Sequence, residues 1–214
     1  IDSESKSVFG QVEIPLGETL TAVGGLRYTD NKRSAIYRNA SPFGPGAPDF
    51  ALLNAGPARK SFSALKFLST LNLASSEDKI TWLAGLNWKP DSDTLVYAKV
   101  STGFKGGGFD SVGDYKPESN TAYEIGLKKT FGDTGQHQVN FSGFYYDYTD
   151  LQVSVLLDTA VGGQIFNAGA ATIWGLEVEG SFKLSDNDTF DVSVNYLNAK
   201  YDELLAQFNV FCVG

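Results

Sequence analysis

Hydrophobic and polar residues alternate along most of this chain with a period of two. From 20 to 28 the even positions read Leu20, Ala22, Gly24, Leu26 and Tyr28, with Thr21, Val23, Gly25 and Arg27 between them. From 80 to 88 the alternate residues are Ile80, Trp82, Ala84, Leu86 and Trp88, and from 139 to 145 they are Val139, Phe141, Gly143 and Tyr145. Further on, Trp174, Leu176, Val178, Gly180 and Phe182 stand opposite Glu177, Glu179, Ser181 and Lys183. Phe190, Val192, Val194 and Tyr196 stand against Asp191, Ser193 and Asn195. Successive side chains of a strand point to opposite faces, so each segment has one apolar and one polar face. No segment shows a helical period. The pattern predicts an all-β chain with about eight long strands, at 7–15, 19–29, 79–89, 94–104, 120–131, 136–149, 170–184 and 189–200. Many reach the ~9–11 residues that a tilted strand needs to cross a bilayer, against the ~5–6 usual in soluble sheets.

The connections sharpen this. PLGE, PDSD, GDTG and SDND close four tight hairpins, and between those hairpins lie long links at 30–78, 105–119 and 150–169. Short and long connections alternate, so all tight turns fall at one end of the sheet. Outer-membrane barrels have that asymmetry. The segment 62–73 also alternates weakly; as a spanning strand it would break the parity, so it is expected in the outer region, as a strand rising above the membrane. Alternation alone leaves open which face is inside. A lipocalin-like soluble barrel or sandwich binding a small ligand would bury the apolar phase, packing residues such as Leu86 and Val194 against each other. Two features favour a membrane. Tyr28, Trp82, Trp88, Phe131, Phe182, Phe190 and Tyr196 lie near strand ends, where aromatic girdles meet the interface. Most of the strands' charges share the other phase, and Lys129, on the apolar phase, lies close to a turn, as expected if a lipid-facing Lys or Arg costs roughly 2–4 kcal/mol at midplane.

The 214 residues suffice for one large domain or two small ones. Hydrophobic residues make up 42% and the mean hydropathy is -0.15, which excludes both a disordered chain and one of apolar helices. No run approaches the roughly 20 apolar residues of a spanning helix. A net charge of -8 argues against nucleic acid. Cys212 stands alone, no Cys/His cluster has metal-ligand spacing, and no cofactor is expected. The single histidine, His137, is read as an exposed surface residue beside GDTG, which leaves no Ser-His-Asp site and no expectation of an enzyme. The chain begins at Ile1 and stops in FNVFCVG, and is read as a piece of a longer protein.

STGFKGGGFD, at 101–110, invites comparison with phosphate-binding loops. Lys105 precedes the triple glycine with no Ser or Thr after it, so the Walker pattern fails, and nothing helical follows, so a dinucleotide fingerprint fails too. The glycines are expected to allow positive φ and tight bends where the chain leaves the sheet.

The succession LVYAKVSTGFKGGGF, YKPESNTAYEIGLKKTF, VNFSGFYYDYTDLQV and FNAGAATIWGLEVEG, in that order and spacing, resembles the β-barrel of TonB-dependent outer-membrane receptors. SVFGQVEIPLGETLTAVGGLRYTDNKR resembles an earlier hairpin of the same barrel. The resemblance implies an antiparallel transmembrane barrel of about 22 strands filled by an N-terminal plug. Residues 1–214 would be part of that barrel, without the plug, the TonB-contacting segment and the remaining strands. It further implies a receptor in the outer membrane of a Gram-negative bacterium, set in outer-membrane lipid and coupled to the TonB complex through the plug. Import of a ferric siderophore is the commonest use in the family; vitamin B12 and oligosaccharides remain open.

Two residue sets stand out. Glu177 and Glu179, two apart on one face, could share acid–base work or line a wet lumen, and the lumen is favoured. Arg27, Lys99, Glu124 and Lys128 share their strands' lumenal phase and are expected to face the plug or water. In the outer segment 29–79, Arg33, Arg38 and Arg59 with Tyr37, Phe43 and Phe50 are the candidates for gripping an anionic, aromatic-rich ligand. The alternative there is a solvated variable loop.

Overall fold

The computed structural model describes residues 1–40, 67–110, 113–158, 162–167 and 169–204. The strands are β1 (Asp2–Pro15), β2 (Leu20–Ala40), β3 (Phe67–Asp91), β4 (Thr94–Lys105), β5 (Gly108–Phe109), β6 (Asp114–Tyr115), β7 (Glu118–Phe131), β8 (His137–Thr149), β9 (Gln152–Asp158), β10 (Gly162–Asn167), β11 (Gly169–Lys183) and β12 (Thr189–Leu204). The eight long ones form a single antiparallel sheet in the order β1-β2-β3-β4-β7-β8-β11-β12, each beside the next long strand of the sequence. β5–β6 and β9–β10 are separate small hairpins inside two of the long links. All eight expected strands are present.

Each tight turn is closed by its own sequence. Gly17, Gly132 and Gly135 take positive φ of 142°, 97° and 68°, which a side chain would oppose. In PDSD the Asp91 carboxylate accepts from the Asp93 amide at 2.9 Å and the Thr94 hydroxyl at 3.0 Å. The Thr94 hydroxyl, then the Asp93 amide and the Lys129 charge, hold this carboxyl below the ordinary carboxylate range. A pKa lowered by folding contributes stability at neutral pH that is lost as acid protonates the group. In SDND, Ser185 Oγ donates to Asp188 Oδ2 at 2.6 Å.

The largest departure from expectation is the link at 30–78. β2 continues to Ala40 and β3 starts at Phe67, paired from Tyr28↔Ile80 up to Ala40↔Phe67. The described part of 62–73 is therefore the first part of β3, which keeps the parity of the sheet. The hydrophobic period fades here because both faces turn polar, with Asp30, Asn31, Lys32 and Arg33 opposite Ser75, Ser76, Glu77 and Asp78. The backbone ladder needs no apolar face to continue. On the lipid phase, the rows beyond Tyr28 and Ile80 carry Lys6–Glu4 and Lys32–Asp30 ion pairs at 2.6 and 3.3 Å. At these rows the apolar face of the sheet turns polar.

Register carries each phase across the whole sheet. One row reads Ile14, Ala22, Leu86, Ala98, Ile125, Gly143, Leu176, Tyr196; the neighbouring row on the other face reads Glu13, Val23, Gly85, Lys99, Glu124, Phe144, Gly175, Leu197. Apolar side chains of the first phase are uncovered, with Leu26 64%, Ile125 58% and Val194 62% exposed. Leu86, at 47%, is not packed against Val194, so within this sheet the two are not buried against each other as a soluble barrel would have them. Among the described residues only Ala171 is a buried hydrophobic, so this sheet has no core of its own. An apolar face of this extent is stable only against an apolar medium.

Candidate functional site: the polar face and its outer rim

The polar face gathers its charges at the middle strands. Glu124 on β7 accepts a hydrogen bond from the Tyr97 hydroxyl of β4 at 2.7 Å through Oε1, and Oε2 meets Lys99 Nζ at 2.9 Å. Tyr97 can lie across β7 because the residue opposite it is Gly126, where a Cβ would stand 2.5 Å from the ring and its hydroxyl. Phe144 and Tyr146 stack beside this group with centroids 4.9 Å apart. Next to it, Ser142 Oγ donates to Glu177 at 3.4 Å and Asn140 Nδ2 to Glu179 at 3.5 Å. A hollow of about 180 Å³ lies between Tyr97, Glu124, Lys128, Asn140, Ser142 and Glu177.

The structure thus brings five expected residues together: Lys99, Glu124, Lys128, Glu177 and Glu179. Arg27 lies on the same face but apart, bonded to Ser7 Oγ at 2.8 Å and Thr29 Oγ1 at 3.3 Å. The two glutamates take different neutral partners, Ser142 and Asn140. Tyr97 was not anticipated as Glu124's partner; an aromatic in the polar phase facing a glycine is the signal that finds it. Removing the carboxylate with Glu124→Ala strips Lys99 of its partner on this face. The expected cost is about 1–3 kcal/mol, read from the thermal midpoint of the full-length protein in detergent, with Glu124→Gln losing less.

The outer rim differs more from expectation. Arg33, Tyr37 and Arg38 belong to β2 and not to a loop, while Phe43, Phe50 and Arg59 lie outside the described residues. None of Gly103, Gly106, Gly107 and Gly108 has positive φ, so the glycines of STGFKGGGFD do not serve conformational freedom. They serve close approach. A Cβ on Gly106 would lie 2.5 Å from Glu77 Oε1, and one on Gly107 would lie 2.5 Å from the Tyr115 carbonyl oxygen. The Gly107 amide donates to Glu77 Oε2 at 3.0 Å, and its carbonyl accepts from Arg33 Nη1 at 3.0 Å. Gln152 Nε2 donates to the carbonyls of Gly106 and Lys116, both at 3.0 Å. Asn167 accepts from the Lys116 amide at 2.6 Å and donates to the carbonyls of Lys116 and Asp150, both at 2.8 Å. Glu77, Gln152 and Asn167 were not anticipated, although the last two fall inside the motif segments TDLQV and FNAG.

His137 is half-buried and not exposed. It sits on the apolar face 5.2 Å from the Phe131 ring and 6.2 Å from Phe182, in the aromatic set at the tight-turn end. Among the described residues no three His, Cys, Asp or Glu are placed to hold a metal ion.

A meandering antiparallel sheet with an uncovered apolar face, a hydrogen-bonded polar face, and tight turns opposite long hairpins is a section of transmembrane β-barrel wall. The sequence carries the particular family as well: residues 1–209 match the TonB dependent receptor-like β-barrel, and the chain belongs to that family of receptors and transporters. It is 21% identical over 210 residues to the pesticin receptor of Yersinia enterocolitica, covering 93% of this chain and 26% of that protein. It superposes on the ferric yersiniabactin uptake receptor FyuA of Yersinia pestis with a TM-score of 0.72 at 17% identity, over 95% of this chain and 28% of that one. The copper transporter OprC is similar at TM-score 0.68 and 19% identity, over 94% of this chain and 31% of that one. The chain therefore spans less than a third of the length of each of these three proteins, and at such identities the structural likeness concerns the fold.

Proposed function

We propose that this chain is part of the wall of a receptor in a Gram-negative outer membrane, one that imports a ferric siderophore with energy relayed from TonB through a plug supplied by the rest of the protein. The observation that carries this reading is the two-faced sheet: one face suits lipid, the other is built from Tyr97, Lys99, Glu124, Glu177 and Glu179 as a hydrated wall able to face a plug. The ligand class rests on the similarity to a ferric yersiniabactin uptake receptor. The similarity to a copper transporter keeps other cargoes as outcomes of the test. In this reading the chain itself performs no catalysis. Outer residues capture the ligand, with Tyr37, Arg38, Phe43, Phe50 and Arg59 supplying stacking and charge-assisted bonds. Arg33 contributes through the Gly107 carbonyl that it already holds.

The test is uptake of iron-55 siderophore complexes by the host with and without the full-length gene. Loss of uptake of one complex, on removal of either the gene or TonB, is expected. Uptake unchanged for all ferric siderophores, with loss for copper, vitamin B12 or an oligosaccharide, overturns the ligand class. In the positive case Arg38→Ala should weaken binding of that complex about tenfold, the loss of one charge-assisted hydrogen bond.

A further inference from the structure

We propose that the glycine loop 106–108 is the hub of a brace that makes three outer hairpins one body, and that Glu77 is the residue that positions it. The three are the upper part of the β2–β3 ribbon, the β5–β6 hairpin and the β9–β10 hairpin. In sequence they are far apart, and each would otherwise be attached to the sheet only through its own ends. β5–β6 has two paired positions, Gly108↔Tyr115 and Phe109↔Asp114, too few for a hairpin to hold its place alone.

The contacts meet at one point. From the ribbon, Glu77 accepts from the Gly107 amide while also accepting from Asn31 Nδ2 at 3.4 Å, and Arg33 donates to the Gly107 carbonyl. From the start of β9, Gln152 Nε2 bridges the carbonyls of Gly106 and Lys116, which closes the base of the β5–β6 hairpin. The Gln152 amide in turn donates to Glu118 Oε2 at 3.0 Å. From the β9–β10 hairpin, Asn167 holds the Lys116 backbone in both directions, and the Ile165 amide donates to Asp110 Oδ2 at 2.8 Å. Gly107 and Gly108 are buried at the centre of these contacts. The absent Cβ atoms are what let the backbone reach Glu77 and Tyr115.

The position gives the brace a direction. Arg33 and Glu77 project on the same sheet face as Lys99 and Glu124, so the brace draws the glycine loop inward over the polar face. A carboxylate accepting a backbone amide makes a strong charge-assisted bond, and here it joins two elements that share no ladder. For function the proposal rests on the reading that ligand is captured at this end; a mouth already ordered before capture loses less entropy on binding.

The test is hydrogen–deuterium exchange on the full-length receptor in lipid nanodiscs, with no ligand added. Glu77→Ala is expected to speed exchange about tenfold at 106–108 and also in peptides covering 152–167, while β11 and β12 stay unchanged. Glu77→Gln keeps one acceptor oxygen and should move both regions less. Gly107→Ala should reproduce Glu77→Ala, whereas Gly113→Ala, whose Cβ would meet nothing within 4 Å, should change neither. Should Gly107→Ala fail to assemble, the two Glu77 variants still decide. Faster exchange confined to 106–108, with 152–167 unmoved, overturns the brace. Because no ligand is involved, a receptor that imports something else would leave this result intact.

Discussion

Val194→Lys is expected to stop the full-length protein from assembling into the outer membrane, whereas Ser193→Lys, one residue away, is expected to be tolerated. Val194 lies in the middle of the apolar run Phe190, Val192, Val194, Tyr196 of β12 and is 62% exposed, with none of the described residues covering it. Lysine there would place an ammonium near the bilayer midplane, at a cost of roughly 2–4 kcal/mol. Ser193 projects from the other face, opposite Glu179, where a lysine meets carboxylates and water. Heat-modifiable migration and the amount recovered in the outer-membrane fraction measure both variants. Equal effects at the two positions would mean that the faces do not differ in their surroundings.

Gly175→Ala is the second large effect, expected to lower the stability of the full-length protein by about 1–3 kcal/mol, the usual range for overpacking. A Cβ at Gly175 would stand 2.5 Å from the Tyr196 carbonyl oxygen and 2.6 Å from Phe144 Cζ. The first of these is backbone within a paired strand, which cannot give without bending β12. This is a physical reason for the glycine in the Gly175-Leu176-Glu177 element: it sets how closely β12 and the Phe144 ring approach β11. Gly10→Ala, in open space on β1, serves as the control and should fall within about 0.5 kcal/mol of the parent. Thermal midpoints in detergent distinguish them.

Period two made the spanning parts of the sheet legible, since lipid on one side and water on the other impose a different chemistry on alternate residues. The same rule explains what was hidden. Just above Tyr28 and Ile80, at 30–33 and 75–78, both sides of the β2–β3 ribbon turn polar, so the alternation that announces a strand breaks there while the hydrogen-bond ladder continues. The polar cluster was half legible: phase alone put Lys99, Glu124, Lys128, Glu177 and Glu179 on one face. The Tyr97–Glu124 bond, two residues out of direct register, needed coordinates. The glycine loop misled in a specific way. A run of glycines suggests φ freedom or phosphate, and the requirement proved to be the missing Cβ beneath Glu77 and Tyr115, which depends on residues far away in sequence.

In the proposed receptor one face of this sheet meets lipid and the other a wet interior. Nitroxide labels placed singly at 190–197 of the full-length protein in bilayers test it, by comparing collisions with oxygen, which concentrates in lipid, and with a water-soluble nickel chelate. A period of two in opposite phase is expected: Phe190, Val192, Val194 and Tyr196 reached by oxygen, and Asp191, Ser193 and Asn195 not. Even-numbered positions shielded from both reagents, as in a protein that buries its apolar face within itself, would contradict it.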